Sequence, residues 1–140
     1  MQADNWPLTE VAEGACMPEQ RVLCVSYDMT VSDIRRAAFT EAGYTVRATN
    51  RIKEGLDWLS REKFDLVIIG HRFSTEDKYV LAVEAREKSK TPVLLVCGAS
   101  ADSDIPAAGR VYALEGTAGL LAAAARLLPV EVAGAPEAAA

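Results

Sequence analysis

A chain of 140 residues that is 50% hydrophobic and 25% charged has the make-up of one globular domain with its own core, which excludes a disordered or membrane-embedded polypeptide. The net charge of −5, with no basic stripe, argues against a nucleic-acid or anionic-membrane surface, because both need a clustered positive field. A cytoplasmic protein is expected: the N-terminus lacks signal-peptide character, no window nears the roughly 20 apolar residues of a membrane helix, and Cys16, Cys24 and Cys97 read as reduced thiols.

Residues 1–20 mix acids, glycine and prolines without periodicity and read as a loose leader, with Trp6 and Leu8 its docking candidates. Residues 130–140 read as a disordered tail, which leaves 21–129 as the folded unit. That unit opens with an apolar run, residues 21–26, expected to be a buried strand. Thr30 is the expected N-cap of the first helix, Val31, Ile34, Ala38 and Ala42 its inner face, and Gly43 its closing residue. Residues 44–49 alternate as a half-exposed edge strand does, and a helix with Ile52, Gly55, Leu56 and Leu59 on one face follows.

The stretch Phe64-Asp65-Leu66-Val67-Ile68-Ile69-Gly70 organises the rest. It is too short for an amphipathic helix and reads as a strand buried on both faces, at the centre of a parallel sheet. A polar loop, 71–78, leads to a helix with a weaker apolar face of Tyr79, Val80, Val83 and Ala85. Residues 91–97 are the fourth strand, with Pro92 tolerated at its start, and 98–110 leave room for a turn or two of helix at most. A short strand over 111–114 precedes a last helix over 117–128, capped by Thr117 and packed through Leu120, Leu121, Ala124 and Leu127. Strands alternating with helices give an α/β, doubly wound, flavodoxin-like sheet of order 2-1-3-4-5 with its fourth helix shortened. The charged stretches Arg35-Arg36, 61–63 and 84–90 read as solvated helix exteriors.

In such sheets the chemistry lies beyond the carboxyl ends of the strands. The residue after Ile69 is Gly70, which has no side chain. His71, the single histidine, reads as a solvated loop residue, since only Asp28, Asp77 and Glu115 offer themselves as companion ligands. Cys97-Gly98-Ala99-Ser100 carries a thiol at a strand end, with nothing cationic expected nearby to activate it apart from His71 or Arg72, so a redox role is not expected. No Gly-x-Gly-x-x-Gly or P-loop pattern supports a nucleotide site.

The order of landmarks, with Glu41-Ala42-Gly43-Tyr44-Thr45-Val46, Phe64-Asp65-Leu66-Val67-Ile68-Ile69, Thr91-Pro92-Val93-Leu94-Leu95 and Tyr112, resembles a response-regulator receiver domain of two-component signalling over about residues 21–128. The resemblance implies acids for Mg²⁺ after the first strand, where this chain has Ser26 and Tyr27, with Asp28 one place later. It implies a phosphoacceptor aspartate at Gly70, a switch hydroxyl at Cys97 and a lysine at Glu115. Replacement of all these groups implies a degenerate receiver without phosphoryl chemistry, locked in one state, with no catalytic residues, metal or cofactor.

The expected function is that of a stand-alone pseudo-receiver acting by protein contact in bacterial-type signalling. Its expected partner face holds Tyr112, Leu120 and Ala124, and a homodimer through the alanine-rich last helix is compatible with the sequence. Two alternatives stand beside it. One is a small-ligand sensor using a crevice of Ser26, Gly70, Cys97 and Gly98; the other is a regulator phosphorylated at a displaced residue, Asp28 or His71.

Overall fold

Apolar runs become strands here wherever the chain is too short to wind a helix between two turn signals, and a computed structural model of the chain shows the result for residues 20–98 and 104–128. Residues 1–19 of the expected leader, with Trp6, Leu8 and Cys16, residues 99–103, with Ala99 and Ser100, Pro129 and the expected tail 130–140 lie outside the described residues. The strands are β1 (Arg21–Val25), β2 (Thr45–Thr49), β3 (Leu66–Ile69), β4 (Val93–Cys97) and β5 (Gly109–Tyr112). The α-helices are α1 (Met29–Glu41), α2 (Ile52–Arg61), α3 (Thr75–Glu87) and α4 (Gly116–Leu127). All strand pairs are parallel, in the expected order β2-β1-β3-β4-β5.

Pleating divides the core into two layers. Leu23, Val25, Val67, Ile69, Leu95 and Cys97 face α2 and α3, where Leu59, Leu81, Ala82 and Ala85 meet them. Val22, Cys24, Leu66, Ile68, Leu94 and Val96 face α1 and α4, against Phe39, Leu120, Ala123 and Ala124. Every β3 side chain is fully buried, so β3 is apolar on both faces, as its unbroken run requires. Among the described residues no helix is long and apolar enough to cross a membrane.

Several local expectations change. Asp28, not Thr30, caps α1: it is extended (φ −96°, ψ 128°) and its Oδ1 accepts from the Thr30 N–H at 2.7 Å and the Val31 N–H at 3.4 Å. A carboxylate there also complements the positive helix end. We expect Asp28→Ala to cost about 1 kcal/mol in denaturant unfolding, and Thr30→Ala to stay within about 0.5 kcal/mol; equal losses would return the cap to Thr30.

The inner face of α1 is carried by Ser32 and Phe39, whereas Ile34 is half exposed. Helix α3 begins at Thr75, within the expected loop, because Ser74 Oγ accepts from the Asp77 N–H at 3.1 Å. Its buried face is Lys78, Leu81, Ala82 and Ala85, which turns Tyr79 and Val80 outward. Strand β5 lies two residues early, since Gly109 and Arg110 pair with Leu94 and Leu95. Gly109 suits that register: a Cβ there would meet Leu94 Cδ1 at 3.3 Å and Leu127 Cδ1 at 3.4 Å. After Tyr112 the chain tightens into a 3-10 turn, Ala113–Glu115, and α4 starts at Gly116 with Thr117 inside it. Among the described residues no helix stands between β4 and β5.

Candidate functional site

The side-chain alternation of β1 sends Val25 towards α2 and α3, so the next residue, Ser26, turns towards α1. Ser26 is buried, and its hydroxyl accepts from Arg35 Nη1 at 3.0 Å and lies 3.5 Å from Cys24 Sγ. Arg35 reaches it because it stands three residues after Ser32 and four before Phe39, on the inward stripe of α1. Arg36 alone of the pair is a solvated exterior residue, facing Asp33 at 3.9 Å. Arg35 is therefore a correction to the reading of both arginines as exterior.

Beside Ser26 lies Gly70, whose N–H donates to Val25 O at 2.8 Å. A Cβ at Gly70 would stand 3.3 Å from Ser26 Cα and Val25 O, and 3.5 Å from Arg35 Nη1. The carboxyl ends of β1 and β3 thus open into a crevice of 210 Å³, where Ser26, Tyr27 and Gly70 meet Arg35, His71 and Arg72. Tyr27 is exposed, edge-on to Phe73 with ring centroids 5.6 Å apart, and the Arg72 guanidinium lies 5.8 Å from its ring centroid.

Electrostatically the crevice is positive. Burial lowers the pKa of Arg35, which stays charged nonetheless because a guanidinium does not lose its proton in proteins. Burial also lowers the pKa of His71, and repulsion from Arg35, Arg72 and Lys78 lowers it further; Lys78 Nζ donates to His71 O at 3.3 Å. His71 should titrate below its ordinary 6.5 in an NMR pH series, and Arg35→Gln should raise its pKa. The unfolded chain then takes up the proton first, so this contribution to stability is present above pH 6.5 and is lost as the pH falls through the folded value. A His71 pKa unmoved by Arg35→Gln would show that the guanidinium does not act on it. The Cys24 thiol is pushed up by burial, against the Ser26 hydrogen bond and Arg35, and so remains neutral.

No protein-family model and no curated protein matches the sequence. Solved structures do. The chemotaxis response regulator CheY4 of Vibrio cholerae aligns at a TM-score of 0.69 and 20% identity, over 79% of this chain and 100% of that one. A response regulator receiver protein from Sinorhizobium medicae aligns at 0.70 and 22%, over 79% and 94%. The response regulator TrrA of Thermotoga maritima, solved with Mg²⁺ and beryllium fluoride, aligns at 0.65 and 22%, over 78% and 99%.

The chain has the receiver-domain fold. The resemblance implies Mg²⁺ at the ends of these strands, and the residues here do not fit that ion. Mg²⁺ wants an octahedral oxygen shell with carboxylate help. Among the described residues the one carboxylate lining the crevice is that of Asp28, whose Oδ1 is committed to the α1 cap, and the Arg35 cation stands alongside. Among the described residues no group of three or more His, Cys, Asp or Glu could hold a metal ion.

Of the receiver positions singled out in the sequence, Ser26, Tyr27 and Gly70 come together and the rest do not. Cys97 is fully buried in the layer facing α2 and α3 and does not line the crevice, and Gly98 stands beside the His71 ring without lining it. Glu115 turns back on its own turn, its Oε2 accepting from the Tyr112 N–H at 3.1 Å. Leu120 and Ala124 are buried against the sheet and cannot form a partner face; Tyr112 is 50% exposed and Leu114 100% exposed. Sequence reasoning missed Arg35 and Lys78. The available signal for Arg35 was its helical spacing from Phe39.

Proposed function

We propose that this protein is a receiver-like module that carries no phosphoryl chemistry and acts in bacterial-type signal transduction by binding another protein. The receiver fold supports a signalling role of the response-regulator kind. The observation that carries the reading is the exchange of chemistry in the crevice: a guanidinium, a serine and a glycine stand where phosphoryl transfer needs a nucleophilic carboxylate and metal-binding acids. Among the described residues no side-chain constellation at the strand ends suits an enzyme, and the proposed setting is the cytoplasm, without nucleic-acid or membrane partners.

Contact with a partner is assigned to the end of β5, where half-exposed Tyr112 and fully exposed Leu114 give an apolar patch. The test joins two measurements on the full chain. Incubation with acetyl phosphate and Mg²⁺ should add no phosphoryl mass, and a protein captured stoichiometrically by the wild type should be lost with Tyr112→Ala/Leu114→Ser. A phosphoryl group on Asp28 or His71 would sink the reading in favour of a displaced phosphorylation site. Capture unchanged in the double variant would remove the β5 end as the contact.

A further inference from the structure

The crevice between β1 and β3 has a charge opposite to that of the molecule. The chain carries −5 overall, yet the guanidiniums of Arg35 and Arg72 both line this one concavity, beside the imidazole of His71. Among the described residues the single carboxylate on its wall, Asp28, is turned to the α1 amides. Among the described residues Arg35 forms no ion pair, and its hydrogen bond to Ser26 occupies one of the five donors of a guanidinium. A partly desolvated cation without a counter-charge is costly, and an anion seated on its remaining donors relieves that cost.

Gly70 keeps the approach open. Any side chain there would place its Cβ 3.5 Å from Arg35 Nη1 and fill the floor of the crevice. Size narrows the occupant further: 210 Å³ lies below the roughly 300–1,000 Å³ of pockets for drug-sized ligands. One tetrahedral oxyanion fits such a space, and an enclosed nucleoside does not. The planar fork of arginine matches two oxygens of a phosphate group at once.

We infer that this crevice binds a small phosphate-class oxyanion on Arg35, with Arg72 at its rim. The site is independent of the protein-contact reading, and either stands if the other fails. Free inorganic phosphate and a small phosphomonoester present the same group, so both are probed.

The experiment is an amide NMR titration of the full chain with inorganic phosphate and with methyl phosphate, against sodium chloride at matched ionic strength. Saturable shifts at Gly70 and His71 with phosphate but not chloride are expected, and Arg35→Gln should raise Kd by about tenfold or more, the loss of a charge-assisted contact. If R35Q does not fold, R35K and R72Q carry the test, since the first removes the fork and the second a rim charge. Tighter binding of methyl phosphate assigns the site to an ester, and tighter binding of inorganic phosphate assigns it to the free ion. Shifts no larger than those of chloride, or a Kd unchanged in the folded arginine variants, would overturn the assignment.

Discussion

Gly70→Asp returns an acid to the end of β3 and is expected to yield no phosphoprotein: after incubation with acetyl phosphate and Mg²⁺ its intact mass stays that of the unmodified variant. The new Cβ would come within 3.3 Å of Ser26 Cα and Val25 O and within 3.5 Å of Arg35 Nη1. The carboxylate therefore emerges beside a guanidinium and pairs with it. An ion-paired carboxylate is a poor nucleophile, and the acids that would hold Mg²⁺ remain absent among the described residues, since Ser26 and Tyr27 supply no carboxylate and Cys97 lies inside the core. Phosphoryl mass on G70D would show that Asp28 recruits Mg²⁺ unaided, and the account of this crevice as unfit for the metal would fall.

Truncating Phe39 to alanine should remove about 3–5 kcal/mol of stability, a large share of the roughly 5–15 kcal/mol of a typical domain. Phe39 is 1% exposed, packs in the layer facing α1 and α4, and lies 5.6 Å from the Tyr44 ring, centroid to centroid. Ile34→Ala, on the face that the spacing of apolar residues selects, should stay within about 0.5 kcal/mol, because Ile34 is 52% exposed. Denaturant unfolding of the two variants separates them. Similar losses would mean that α1 is rotated from the orientation described.

That pair of residues also shows where sequence reasoning worked and where it did not. Strands buried on both faces advertise themselves through unbroken apolar runs, so β1, β3 and β4 were legible, and with them the sheet order. Helices were harder, because an inner face is defined by what it meets. In α1 the buried stripe runs through Ser32, Arg35 and Phe39, two of them polar, so counting apolar residues turned the helix towards Ile34. The same error hid Lys78 in α3, whose ammonium reaches the His71 carbonyl.

The crevice was half legible. Register placed Ser26, Tyr27 and Gly70 together correctly, since strand ends follow from strand bounds. The fate of Cys97 depended on pleat parity, which puts it on the same face as Val93 and Leu95 and away from Ser26. That of Glu115 depended on a tight turn that no apolar pattern announces. The lack of carboxylates at Ser26, Tyr27 and Gly70 was visible in the sequence, whereas the cation beside them needed the path of α1.

The two outermost strands have a bearing on how concentrated this protein can become. β2 and β5 are five and four residues long, and each has one strand neighbour in the sheet among the described residues. Short borders discourage edge-to-edge pairing between copies. Arg47 sits on β2, paired to Glu62 at 3.0 Å and lying 4.1 Å from the Trp58 ring centroid, and Arg110 sits on β5. Both guanidiniums are already engaged, Arg47 by Glu62 and Arg110 by the Ile105 carbonyl, and the shortness of the two strands favours a sheet that ends at its own margins over one that grows into fibrils.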